Sequence, residues 1–192
     1  DPFTDGVSIR GQVDFNMTIG GLPGHQGFSA FYSSQGGTDL ETLGDTIIPS
    51  PTPGTPGIKE SRYYVAYSFD QYLHEAGGGS GEGYGLFGQV AVSDGNPNGL
   101  RWSMFLGVGG AGLFPGRSKD RWGAGYYYDG FSQSLKDALA DIKTIRDEAG
   151  IEVFYDFQMT PWCHVGADLQ VIRAGLGEST AVIPGLRAVI RL

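Results

Sequence analysis

Residues 7–19 alternate without a break. Val7, Ile9, Val13, Phe15, Met17 and Ile19 take odd positions with Gly11; Ser8, Arg10, Gln12, Asp14, Asn16 and Thr18 take the even ones. A period of two puts each set on its own face of a β-strand. The same period returns over residues 62–72, where Tyr63, Val65, Tyr67 and Phe69 oppose Arg62, Tyr64, Ser68 and Asp70. It returns over 100–109, with Leu100, Trp102, Met104, Leu106 and Val108 on one face, and over 151–159, where Ile151, Val153, Tyr155, Phe157 and Met159 oppose Glu152, Asp156 and Gln158 with Phe154. In residues 164–171, Val165, Ala167, Leu169 and Val171 alternate with His164, Gly166, Asp168 and Gln170. At the end of the chain, Leu186, Ala188, Ile190 and Leu192 oppose Arg187 and Arg191 with Val189. Weaker strand patterns fill 26–34, 85–93 and 121–129, which makes nine.

The breaks between them carry turn chemistry. Gly20, Gly21, Pro23 and Gly24 mark a tight turn, Asp94 to Gly99 is dense in Asp, Asn, Gly and Pro, and Pro161-Trp162 separates two strands. Residues 35–59 hold Pro49, Pro51, Pro53 and Pro56, which forbid a central strand. Pro184 lacks a ladder donor, so regular pairing is expected from Gly185 or after a bulge. One stretch changes period: Leu135, Ala138, Leu139, Ile142 and Ile145 recur at three and four, Ser134 and Asp137 resemble a capping pair, and Gly150 follows. This predicts an amphipathic helix in a long connection.

At ~3.3 Å per residue the first strand is longer than a typical globular one and long enough to cross a bilayer at a tilt, which takes about 9–11 residues. A closing strand whose apolar set stays in register to its end fits the same picture, an all-β, antiparallel transmembrane barrel. Antiparallel alternation then puts the turns near Leu22, Gly79, Gly112 and Pro161 on one side and the loops at 35–59 and 132–149 on the other. Trp122, Trp162, Tyr72 and Tyr84 collect at the first side; Tyr32, Trp102 and Tyr128 collect at the second, as two interfacial belts would. Periodicity alone leaves a soluble carbohydrate-binding β-sandwich open, because inside-out and ordinary sheets alternate alike.

Composition narrows the choice. Of 192 residues, 18% are charged and 40% hydrophobic, so a disordered chain is excluded, and no apolar run reaches the ~18 residues of a membrane helix. The 33 glycines, 10 tyrosines and 11 phenylalanines suit many strands and tight turns. The net charge of −8 argues against a nucleic-acid partner. One cysteine, Cys163, excludes an intrachain disulfide framework. His25, His74 and His164 lack metal-ligand spacing, and no Gly-Lys-Ser/Thr follows the glycine groups, so neither a metal nor a nucleotide cofactor is expected. His164 and Cys163 point to opposite faces of a strand and make no dyad.

Short motifs stand in order along the chain: Gly21-Leu22-Pro23-Gly24-His25-Gln26, Asp70-Gln71-Tyr72, Gly85-Leu86-Phe87-Gly88, Asp94-Gly95-Asn96-Pro97-Asn98, Pro115-Gly116-Arg117, Gly125-Tyr126-Tyr127-Tyr128, Thr160-Pro161-Trp162, Asp168-Leu169-Gln170 and Pro184-Gly185-Leu186-Arg187. Together, in this order and spacing, the set resembles the OprB-type carbohydrate-selective porins. The resemblance implies a sixteen-stranded barrel in a bacterial outer membrane that passes small sugars by passive diffusion, not an enzyme. Nine strands match its C-terminal half, so the chain is expected to be a single-domain portion, residues 1–192, of a longer porin. The terminal Leu192 departs from the aromatic that usually ends such strands. The implied partners are small sugars, outer-membrane lipid and, in an assembly, further copies of the chain.

In such a barrel apolar faces meet lipid and polar faces line the lumen. The luminal candidates for sugar contact are Arg10, Asp14, Arg62, Tyr64, Asp70, Arg101, Tyr127, Glu152, Asp156, Asp168 and Arg187. Arg191 shares that face, and Phe154 adds a third flat ring to Tyr64 and Tyr127. Mixed acids and bases exchange hydrogen bonds with hydroxyls, and aromatic rings accept the apolar side of a pyranose. Asp156 and Asp168, on neighbouring strands, could instead mimic the acid pair of a glycosidase, but a solvated pore wall accounts for them without catalysis.

Overall fold

The structure, a computed structural model, describes residues 6–47, 54–76, 82–177 and 179–190. Arg191, Leu192, Pro49, Pro51, Pro53 and Gly79 lie outside them.

Nine long strands form one sheet. They are β1 (Ser8–Ile19), β2 (Leu22–Ser33), β5 (Arg62–Glu75), β6 (Gly83–Ser93), β7 (Leu100–Ala111), β8 (Arg121–Phe131), β9 (Glu148–Thr160), β10 (Cys163–Arg173) and β11 (Thr180–Ile190). Every neighbour in the sheet is the next long strand in sequence, and every pairing is antiparallel, so the sheet is an up-and-down meander with β1 and β11 as its edges. Between β2 and β5 lie β3 (Gly37–Thr38), which pairs with β4 (Ile58–Lys59), and the helix α1 (Leu40–Ile47); α2 (Gln133–Leu139) follows β8.

The predicted strands are present, and several run longer. Strand β2 starts at Leu22 because Gly20 and Gly21, with φ of 62° and 82°, close a two-residue turn whose twist matches the flanking strands. Pro184 sits inside β11 opposite Leu169 without a register shift. Among the described residues β11 has a partner on one side only, and an edge tolerates a missing N–H.

Because paired residues point the same way, the register assigns each strand residue to one of two faces. One face carries the apolar set of every strand, for example Val13, Phe28, Tyr67, Val90, Met104, Tyr128, Val153, Leu169 and Leu186. No Asp, Glu or Lys falls on it among the described strand residues, and its one arginine, Arg173, ends β10. Among the described residues nothing covers this face: Leu186 is 86% exposed and Ile9 64%. A β-sandwich would stack this face on a second sheet, whereas the described strands form one large sheet and the small β3–β4 pair. The arrangement is that of a barrel wall, apolar outward and polar inward.

Belt aromatics hold the ends of the apolar face. Trp102 stacks on Tyr128 at 4.7 Å near one end, and Tyr84 lies 6.3 Å from Trp122 near the other. Tyr72, expected beside Tyr84 and Trp122, lies at that end but pairs with Gly85 in the row next to Asp70 and Phe87, so it joins the polar face; the register shift that follows returns His74 to Tyr84.

Both helices sit at the end of the sheet that carries the longer connections. Helix α1 has no counterpart in the sequence pattern, where 35–59 reads as a loop. The apolar spacing predicts that α2 starts after Ser134 and continues past Ile145. Instead Ser132 is the cap, its hydroxyl accepting from Leu135 N–H at 3.1 Å, and the helix stops at Leu139. Beyond it Arg146 N–H donates to Gly175 C=O at 3.0 Å, and this tie to the next loop overrides helical propensity. The two helices approach closely: a Cβ on Gly44 would lie 3.1 Å from the Ala138 carbonyl oxygen. Leu40, Ala138 and Ile145 are the buried apolar residues among those described, so the only apolar core is in this loop layer.

The connections at this end are tied in series. Tyr63 N–H donates to Asp94 at 2.6 Å, Leu40 N–H to Asn96 Oδ1 at 2.9 Å, Ser132 N–H to Gly99 C=O at 2.8 Å and Gly175 N–H to Glu148 at 3.1 Å. At the opposite end the connection 112–120 is clamped to β9 by Arg117 and Asp120. The Asp120 carboxylate, 1% exposed, accepts from Arg117 Nε and Nη2 at 2.7 Å each, from Tyr155 OH at 2.6 Å and from Gln158 N–H at 2.9 Å. Arg117 also donates to Gln158 C=O at 3.0 Å and lies 3.6 Å over the Phe157 ring. Gln158 follows the last β8–β9 pair, Arg121 with Asp156, so the two side chains stand in for a strand partner that β8 no longer supplies.

Candidate functional site

The second face of the sheet carries the chemistry. On β1, Arg10 Nη2 donates to Gln12 Oε1 at 3.4 Å and Gln12 Nε2 to Asp14 Oδ2 at 2.9 Å, a polar ladder along one strand. On β5, Tyr64 stacks on Phe31 at 5.4 Å, and Asp70 Oδ2 lies 2.8 Å from His25 Nδ1. Arg62, at the loop end of β5, reaches Gln35 at 3.3 Å, and its Nε is buried without a partner. Arg101 lies at the irregularity between Leu100 and Trp102 and donates to the carbonyls of Ser93 and Asp94 at 2.7 and 2.9 Å, which makes it a rim residue that holds the 94–99 turn. Tyr127 donates from its hydroxyl to Glu148 at 2.9 Å.

Four of the predicted residues come together on β9 to β11. Glu152 pairs with Gln170, Asp168 with Phe154 and Gly185, and Gly166 lies between Asp156 and Arg187. Arg121 of β8 pairs with Asp156 and completes the group. A cavity of about 340 Å³ is lined by Arg121, Glu152, Phe154, Asp156, Asp168 and Arg187 among others. Two cations, three carboxylates and the Phe154 ring, 41% exposed, converge there. His164 Nδ1 stands 3.3 Å from Asp156 Oδ2 and orders that carboxylate. The predicted residues on β1 and β5 belong to the same face but lie strands away from this group.

Arg121, Glu148 and the His–Asp pairs are not marked by the sequence pattern. Arg121 was available in principle: it shares parity with Tyr127 on β8, but it opens the strand, where alternation has no earlier residue to anchor it. The His–Asp pairs needed the register, which links His25 to Asp70 across β2 and β5.

The groove offers hydroxyl-binding donors and acceptors beside an exposed ring, the chemistry that recognises a sugar. Among the described residues no cluster of His, Cys, Asp and Glu has the makeup of a metal site.

Comparisons with known proteins bear on the same features. No curated protein sequence matches the chain. Among solved structures, the high-pH structure of Pseudomonas putida OprB superposes with a TM-score of 0.84 at 22% identity, over 97% of this chain and 49% of that one. At that identity the likeness concerns the fold, and the chain spans about half the length of its match. The family model described as "Carbohydrate-selective porin, OprB family" matches residues 2–191. With nearly the whole sequence matched and the two-faced meander in place, the chain belongs to the OprB family of carbohydrate-selective porins.

Proposed function

We propose that this chain is the C-terminal portion of a longer outer-membrane porin and forms part of the wall of a pore through which small sugars diffuse passively. The observation that carries this reading is the segregation of the sheet's faces. The outward face is uncovered and free of acids, and the inward face mixes Arg, Asp, Glu, Tyr and Phe. A charged side chain at mid-depth on the lipid face costs about 2–4 kcal/mol for Arg or Lys, so this distribution is what lipid contact selects.

On the inward face, Arg10, Asp14, Tyr64, Asp70 and Tyr127 line the route, with Arg62 and Arg101 at its rim. Glu152, Asp156, Asp168 and Arg187 form the densest contact with sugar. Mixed charge lets a neutral sugar exchange water for protein hydrogen bonds while no single sign dominates. Passage requires that these bonds form and release readily, so binding is weak and raises local occupancy without trapping. The family is one of transport channels, and the paired carboxylates act here as acceptors for hydroxyls.

The test uses the full-length porin in planar bilayers. Ion conductance that falls in a saturable way as sugar is added is the expected result. A channel that conducts ions but ignores every sugar, or a protein that forms no channel, would overturn the proposal.

A further inference from the structure

Phe154 separates the cavity just described from a second one. The second, of about 510 Å³, opens over β5 to β8 and is lined by Asp70, Tyr72, Phe87, Gly109, Arg121 and Phe154 among others. Arg121 and Phe154 line both.

Glycine on the neighbouring strand shapes the two cavities. A Cβ on Gly107 would lie 2.6 Å from the Phe87 ring, and one on Gly123 would lie 2.5 Å from the Phe154 ring. Each ring therefore occupies the space that a side chain on the next strand would fill. It lies down along the sheet instead of standing into the lumen. A ring laid this way keeps a face open, and an open aromatic face is what stacks on the apolar side of a pyranose. Phe154 thus makes a low step between two hollows, with guanidinium donors from Arg121 in reach of both.

The polar groups differ on either side of the step. Beyond it, towards β11, stand Glu152, Asp156, Asp168 and Arg187. Before it, Asp70 is already engaged by His25, and Tyr72 and Phe87 add two rings to that of Phe154. The first hollow offers more rings for stacking, and the second more charged groups for hydrogen bonding.

We propose that the two cavities are consecutive saccharide subsites bridged by Phe154 and Arg121, so that this wall accommodates a disaccharide as a unit rather than one monosaccharide at a time. The proposal rests on the reading of the chain as a sugar-passing porin and names the substrate class of that site.

Sugar-dependent current block of the full-length porin tests it, with glucose and maltose as probes on the parent and two variants. Gly166→Leu fills the second cavity. A Cβ there meets nothing closer than 3.7 Å and Gly166 has no positive φ, so the wall takes the side chain without strain. Phe154→Ala removes the bridge. Heat-modifiable gel migration and unfolding midpoints like the parent's verify that each variant is folded. The parent should bind maltose about tenfold more tightly than glucose. Gly166→Leu should reduce maltose binding to the glucose level and leave glucose within about twofold, because glucose retains the first subsite. Phe154→Ala should weaken both sugars, maltose more. Equal affinity of the parent for the two sugars, or equal loss of both in Gly166→Leu, would overturn the paired subsites while sugar block itself survives. Absence of block by either sugar in the conducting parent would overturn the proposed function and this inference together.

Discussion

Replacing Asp120 by alanine should destabilise the barrel by about 3 kcal/mol. The figure comes from what the carboxylate leaves behind. It accepts four hydrogen bonds, two from the Arg117 guanidinium, one from Tyr155 OH and one from Gln158 N–H, and it is 1% exposed. Breaking a buried pair by removing one partner costs roughly 3–5 kcal/mol. The lower end applies because the Arg117 side chain is 33% exposed, recovers water and keeps its bond to Gln158 C=O. The assay is guanidinium unfolding of the full-length porin in detergent, read by the shift of the midpoint. Arg117→Ala combined with Asp120→Ala should cost clearly less than the sum of the single changes, since both remove the same bonds. The pH dependence has a definite sign. Burial pushes the Asp120 carboxyl up, but the bonds from Arg117, Tyr155 and Gln158 N–H and the Arg117 charge outweigh it, so it titrates below the ordinary range. A depressed folded pKa gives stability that is full above the unfolded value of about 3.9 and is lost as pH falls through the folded one. Parent and variant should therefore differ at neutral pH and converge in strong acid. A neutral-pH difference under about 0.5 kcal/mol would refute the clamp.

Three further outcomes follow from the same geometry. Val153→Arg, on the apolar face, should cost about 2–4 kcal/mol if it lies near mid-depth, whereas Gln170→Arg on the polar face should stay within about 0.5 kcal/mol; lipid-reconstituted unfolding compares them. Asn96→Ala removes the acceptor for Leu40 N–H, so amide exchange over α1 should accelerate about fivefold, as loss of about 1 kcal/mol of capping predicts, with the strands unaffected. Asp147 accepts from Lys136 Nζ and Tyr128 OH at 2.7 Å each and from Phe131 N–H at 3.0 Å. Burial raises its pKa, but these partners outweigh it and hold the carboxyl below the ordinary range. Asp147→Ala should therefore speed tryptic cleavage at Lys136 and Lys143 near neutral pH, and acid should have the same loosening effect on the parent.

The strands were legible because a sheet with one apolar and one polar face imposes period two with little noise. In β1 not one polar residue falls out of place between Ser8 and Ile19. The apolar set of each strand could be read alone, and agreement among nine strands identified the architecture. Helix α1 was not legible, because what holds it is distant. Its first N–H is received by Asn96 from another connection, and its Gly44 meets Ala138 of a third. The neighbouring prolines dominated the local signal. Helix α2 was found by its apolar spacing but extended too far, since Ile145 is buried for a reason outside the helix: the Arg146 tie to Gly175. The site was legible as a face and not as a place. Parity put Glu152, Asp156, Asp168 and Arg187 on the inner wall, but only the cross-strand register brings them to one groove with Arg121.

The serial ties among the connections at the helical end bear on engineering the protein for surface display. Barrel proteins are usually treated as a fixed can with interchangeable loops, each free to host a foreign peptide. Here the 94–99 turn receives Tyr63 and Leu40 from one side and Ser132 from the other. An epitope spliced into that turn would unsettle sequence on both flanks, some of it dozens of residues away. Permissiveness to grafting is thus a shared property of the whole rim, and a scan of insertion sites should show correlated failure among neighbouring loops in place of independent successes.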